Sequence, residues 1–186
     1  MGWEGLFDDL EAQFESLQRL ELEAEVADRT RRELAGIDLI SRLLGHRDSG
    51  LTLRLVTGTT LSGVLADIGA DWIALAEPSQ RYPAGGTTVI ALSAVTGFVG
   101  LGRRSQTAPS PRRFALGYVL RALGRDRQVV IVTDTSGSVL TGTVHRVGAD
   151  HVDLAEHPAE TGPRTEAIRA IRAIPFWALV SIAPAR

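Results

Sequence analysis

Thr57–Glu77 reads TGTTLSGVLADIGADWIALAE, and Ser136–Glu156, 79 residues further along, reads SGSVLTGTVHRVGADHVDLAE. The pairs Gly58/Gly137, Leu61/Leu140, Gly63/Gly142, Gly69/Gly148, Ala70/Ala149, Asp71/Asp150, Leu75/Leu154, Ala76/Ala155 and Glu77/Glu156 are identical. Leu65/Val144, Ile68/Val147 and Ile73/Val152 are conservatively matched. A self-match this dense means two copies of one module. It extends back to Leu44-Gly45 against Leu123-Gly124. With a small shift it runs forward to Val89–Gly100 against Ala173–Ala183.

Within each copy the apolar residues alternate as strands do: Leu51, Leu53 and Leu55, then Leu61 and Leu65, then Ile73 and Leu75. Gly58 and Gly137 stand where strands reverse. The Gly-Ala-Asp triplets at Gly69 and Gly148 are expected to supply a positive φ and Asp side-chain bonding for tight hairpins. Five short strands per copy follow, with a 3₁₀ turn around Ser93-Ala94 and Trp177-Ala178. A helical stretch precedes each set of strands, Thr30–Leu44 and Pro111–Leu123, with Gly45 and Gly124 as C-cap residues and Ser110-Pro111 as an N-terminal signal.

A chain of 186 residues, 44% hydrophobic and 23% charged, has an ordinary globular composition and is long enough for two small domains. No apolar run reaches the roughly 20 residues that span a bilayer, and no leader is read at the start, so a cytoplasmic protein is expected. The absence of cysteine excludes disulfides, thiolate metal sites and a Cys nucleophile. Every basic residue is Arg, which excludes Schiff-base chemistry and a phosphate-loop lysine. No G-x-S-x-G and no phosphate-binding glycine loop occurs, so no catalytic residue is assigned and no enzyme or cofactor is expected.

Charge is unevenly placed. Residues 1–28 carry nine acids against one base, while the chain as a whole is at −2. Trp3, Leu6, Phe7, Leu10, Phe14 and Leu17 recur at steps of three and four, which predicts an amphipathic acidic helix that docks on its own barrels or on a protein partner. Its acidity disfavours a membrane surface. Residues 102–110 read as a flexible linker. Arg103, Arg104, Arg112 and Arg113 in and after it, with Arg121, Arg125 and Arg127 beyond, form the basic patch. These are the candidate contacts for nucleic acid or another anion, although no aromatic is interleaved in the linker. His145, His151 and His157 recur every six residues, a spacing that matches no metal-ligand pattern, and no metal site is assigned.

A helix followed by five bent strands carrying G-x-x-h-x-G-x-h, where h is apolar, resembles the Sm-like fold, including its bacterial Hfq-type members. Gly58, Leu61, Gly63 and Leu65 look like the first Sm motif, and Ala91-Leu92-Ser93-Ala94-Val95 looks like the second. Thr88, Val89 and Ile90 stand where that family places RNA-facing residues, so its RNA pocket is not carried over. The whole chain also resembles an actinobacterial family sometimes labelled Fis-like regulators, without a helix-turn-helix to support the label.

The expected architecture is mainly β with helices. It has an acidic helix over residues 1–29, an Sm-like (SH3-like) barrel over 30–101, a linker over 102–110 and a second barrel over 111–186. The expected function is non-catalytic: regulatory or scaffolding binding with self-association into a homo-oligomer and another protein as partner. The alternative is RNA or single-stranded nucleic-acid binding through the Arg-rich linker.

Overall fold

The computed structural model of the protein describes residues 3–77, 86–106, 114–161 and 165–185, and for residues 3–17, 33, 161 and 165 it describes the backbone alone. Two compact units divide the chain at Leu39/Ile40.

The first unit is helical. Helix α1 (Trp3–Ala35) has 33 residues and is about 50 Å long at 1.5 Å per residue. The expected boundary between the acidic helix (residues 1–29) and the helical stretch Thr30–Leu44 falls inside α1, and the helix is interrupted instead at residues 36–38. The Thr30 hydroxyl donates to the carbonyl of Val26, one turn back, rather than capping a new helix. Arg31 and Arg32 reach Asp28 at the helical spacings of three and four, so the local charges support continuation. Leu20, Leu22 and Val26 are exposed. The side chains from Trp3 to Leu17, including the predicted apolar stripe, lie outside the described residues.

The second unit holds all but the first residue of α2 (Leu39–Leu44), then β1 (Gly50–Leu55), β2 (Thr60–Ile68), β3 (Trp72–Ala76), β4 (Thr87–Ala91) and β5 (Val95–Val99). Helix α3 (Leu116–Arg125) follows, and then β6 (Val129–Asp134), β7 (Val139–Val147), β8 (His151–Glu156), β9 (Ala170–Pro175) and β10 (Leu179–Pro184). All ten strands form one antiparallel sheet in the order β5-β1-β2-β3-β4-β10-β6-β7-β8-β9. The fold is therefore mainly β, and the sheet is open. Two separate closed barrels, as expected from the sequence, are not seen. Instead the halves β5-β1-β2-β3-β4 and β10-β6-β7-β8-β9 join where β4 pairs with β10, Ile90 opposite Ser181 and Val89 opposite Ile182.

The repeat extends to fine detail. Ala66 in β2 and His145 in β7, 79 residues apart, each stand as the extra residue of a bulge against the next strand. Asp48 and Arg127, also 79 apart, both take left-handed backbone, with φ of 63° and 49°. The 3₁₀ turns Leu92–Ala94 and Phe176–Ala178 are equivalent at an offset of 84.

The turn glycines divide into two kinds. Gly58 and Gly137 have φ of 82° and 83°, the region that favours glycine. Gly69 and Gly148 do not, contrary to the sequence reading. A Cβ on Gly69 would collide with the Trp72 ring, and one on Gly148 with the His151 ring. What those hairpins need is room for an overlying ring.

Leu43, Leu53, Leu65, Ile73, Ile90, Leu116, Leu120, Val130, Leu154, Leu179 and Ile182 are almost fully buried and belong to one apolar cluster spanning both halves. Helix α3 starts later than the predicted Pro111, a stretch whose first residues lie outside the described ones. Its start is set from the other repeat. Asp71 Oδ1 accepts the N–H of Leu116 at 2.7 Å, and the carbonyl of Phe114 accepts from Ala70 N–H and Trp72 Nε1–H. Phe114 itself is 59% exposed.

Candidate functional site

A cleft of about 420 Å³ lies between α3 and β7, lined by Tyr118, Arg121, Gly124, Arg125, Val144, His145, Arg146 and Val147. The helix contributes Tyr118, Arg121 and Arg125, spaced three and four apart and so on one face. From the strand, Val144 and Val147 add apolar surface. His145 enters because the bulge breaks the alternation of β7 and re-aims its extra residue. No carboxylate is among the lining residues. Arg146 is bound to Asp153 at 3.0 Å, with the Asp153 side chain only 10% exposed. Arg121 makes a long bond of 3.4 Å to the carbonyl of Gly148. At the mouth, the rings of Phe114 and Tyr118 stack with centroids 4.0 Å apart and planes 14° apart.

Of the predicted basic patch, Arg121 and Arg125 meet here. Arg127 sits in the left-handed turn that follows, and Arg112 and Arg113 lie outside the described residues. The side chains of Arg103 and Arg104 are exposed, but the segment carrying them is not a free linker over its described length. Arg42 donates to the carbonyls of Leu101 and Gly102, both at 3.1 Å. Gly102 N–H donates to His46 Nε2 at 2.8 Å, and Gln106 N–H to the carbonyl of Ser41 at 2.9 Å. A Cβ on Gly45 would lie 2.8 Å from the backbone of Arg104. Residues 101–106 are thus docked along α2.

Tyr118, His145 and Arg146 were not singled out for this cleft from the sequence. The one signal was the repeat itself, because Ala66 and Asp67 hold the positions of His145 and Arg146 in the first copy. The three spaced histidines part company in the fold. His157 is buried, with Nδ1–H donating to the carbonyl of Pro158 at 2.9 Å and Nε2 accepting from the Thr143 hydroxyl at 2.7 Å. His151 bonds Asp150 at 2.9 Å, and this hydrogen bond holds the exposed Asp150 carboxyl below the usual carboxylate range. Among the described residues, no group of three or more His, Asp or Glu side chains is placed to hold a metal ion, and no helix is long and apolar enough to cross a membrane.

A second surface is formed by the outer strands. β5 and β9 end the sheet. Val99 on β5 is 69% exposed and Ile171 on β9 is 55% exposed.

No family model, curated protein or solved structure matches this chain.

Proposed function

We propose that the chain is a non-catalytic binding protein that works as an assembly of copies, with each half an Sm-like module. The β4–β10 junction supports this reading. At an offset of 84 residues, β10 is the counterpart of β5 and β9 is the counterpart of β4. The outer strands of the sheet are therefore a second set of the two strands that already pair inside the chain. Joining β9 of one copy to β5 of the next repeats that contact, and an unpaired row of backbone donors and acceptors favours it. The counterparts differ in burial as the reading requires: Leu179, Val180 and Ile182 of β10 are buried at the internal junction, while Val95, Thr96 and Phe98 of β5 are not.

Light scattering of the full chain tests it. Oligomers are expected at micromolar concentration, with Val99→Glu and Ile171→Glu each reducing them to monomers that stay folded, because both side chains are exposed. A monomer in the native chain refutes the reading.

The nucleic-acid reading has one observation in its favour, the meeting of Arg121 and Arg125 beside an aromatic pair. Affinity for single-stranded RNA that falls steeply with salt is its test.

A further inference from the structure

The two repeats treat one surface differently. At the offset of 79 that aligns the left-handed residues Asp48 and Arg127, Arg42 corresponds to Arg121, Gly45 to Gly124 and His46 to Arg125. In the first repeat these residues hold a peptide. Arg42 donates to two successive carbonyls of residues 101–106, His46 accepts an N–H from it, and Gly45 lacks the side chain that would keep its backbone away. Leu101 anchors the segment against the apolar core. In the second repeat Arg121 and Arg125 line the cleft between α3 and β7, while Gly124 lies against Val144 of β7, and no described segment of the chain bonds to Arg125.

We propose that the α3/β7 cleft is a docking site for an extended acidic peptide segment of a partner, held as α2 holds residues 101–106. This goes beyond the assembly reading, since neither outer strand takes part. Arg121 donates to the backbone carbonyls of the bound segment, as Arg42 does in cis. Val144, Val147 and the Tyr118 ring form the wall for one apolar anchor, the role that Leu101 plays in the first repeat.

The chemistry of the occupant follows from the substitutions between copies. His46 accepts a backbone N–H, whereas a guanidinium has five donors and no acceptor, so at Arg125 the ligand presents an oxygen. Opposite it, Ala66 and Asp67 of the first copy are replaced by His145 and Arg146. Arg146 is paired with Asp153, where the first copy has Ala74, so what the second copy adds to the cleft is the imidazole of His145 beside the guanidinium groups of Arg121 and Arg125. Carboxylate side chains are the peptide groups that match this lining. Nucleic acid is less well matched, because the exposed rings of Phe114 and Tyr118 are stacked on each other and each has one face occupied.

Fluorescence anisotropy on the full chain tests the proposal, with three labelled probes. These are an octapeptide of residues 99–106 carrying Arg103→Glu and Arg104→Glu, the same octapeptide in its native sequence, and a 15-residue oligothymidylate. The acidic octapeptide is expected to bind at least tenfold more tightly than the native one. Arg125→Ser and Arg121→Ser should each weaken it about tenfold with unchanged melting temperature, while Arg127→Ser, outside the cleft, should leave it unaltered. Equal affinity for both octapeptides, no binding of the acidic one, equal losses in all three variants, or tighter oligothymidylate binding lost with Arg121 and Arg125 would each overturn it. Val99→Glu, which separates copies in the assembly reading, should not change peptide affinity, so the two proposals fail independently.

Discussion

The carboxylate of Asp71, in the turn between β2 and β3, accepts the backbone N–H of Leu116, the first residue of α3, at 2.7 Å. A hairpin of the first repeat thereby caps the helix of the second. Free N–H groups at a helix start need such an acceptor, and removing a capping side chain costs about 0.5–2 kcal/mol. Asp71→Ala is expected to lower the melting temperature by roughly 2–6 °C. Asp150→Ala, at the matching position, should do almost nothing, because its side chain is 89% exposed and bonds only the neighbouring His151 among the described residues. Thermal denaturation of the two variants decides, and equal losses would contradict the assigned cap.

Gly63 and Gly142 lie where a strand crosses close under its neighbour. A Cβ on Gly63 would stand 2.7 Å from the carbonyl oxygen of Ala76, and one on Gly142 would overlap the carbonyl of Ala155. Gly63→Ala and Gly142→Ala should each cost about 1–3 kcal/mol, as overpacking does. Gly50→Ala is the control. Nothing lies within 4 Å of its Cβ position and its φ is not positive, so chemical denaturation should find it unchanged or slightly stabilised.

Thr143 and His157 are both buried and satisfy each other. The carbonyl of Pro158 takes the Nδ1 proton, which leaves Nε2 as an acceptor that only the threonine hydroxyl fills among the described residues. Thr143→Val keeps the shape and removes the donor. The expected loss is about 1–3 kcal/mol, the cost of a bare buried polar atom, and Thr143→Ser should recover most of it in urea denaturation.

Asp134 gathers three donors on one carboxylate oxygen: the Ser136 hydroxyl, Ser136 N–H at 2.8 Å and Ser138 N–H at 3.1 Å. These bonds, the hydroxyl first, hold its carboxyl below the usual range. A folded pKa below the unfolded one means stability that is present above about pH 4 and is lost as pH falls through the folded value. Asp134→Ala should therefore lower the melting temperature at pH 7 and converge with the native chain as the pH drops below 4. A pH-independent gap would show that the carboxylate charge plays no part.

If copies join as proposed, the internal junction gives the register expected between them. Ile182 opposite Val89 and Ser181 opposite Ile90 become, at the offset of 84, Phe98 opposite Ala173 and Gly97 opposite Ile174 of another copy. Because the chain has no cysteine, two single variants, Phe98→Cys and Ala173→Cys, can be mixed and oxidised. Directly opposed residues lie within disulfide reach, so a cross-linked pair should appear on a non-reducing gel. Phe98→Cys with Ala170→Cys, three residues out of register, should cross-link far less.

Much of the β architecture was legible because it rests on local patterns. Alternating leucines in β1 and the repeated G-x-x-h-x-G-x-h needed only period and spacing, and Gly58 and Gly137 met the expected positive φ. The cleft was only half legible. Arg121 and Arg125 stood out as charges, but His145 and Arg146 belong with them only because a bulge turns β7 toward α3. Residues 102–106, the described part of the expected 102–110 linker, are docked along α2. Their Gly, Arg and Ser composition is that of a loop, and what holds them is backbone bonding to Arg42, His46 and Ser41, which composition does not report.

The amino-acid sequence by itself determined that the chain is a duplicated β module with an acidic leading helix, because repetition, periodicity and charge are properties of the order of residues. It also determined where the copies differ, at Ala66/His145 and Asp67/Arg146. Only the tertiary structure decided that the copies share one open sheet, since a strand edge pairs through backbone groups that every residue carries, and side chains do not name the neighbour. It also decided that Asp71 caps a helix 45 residues away, a contact that exists only once both hairpin and helix are packed on the common core.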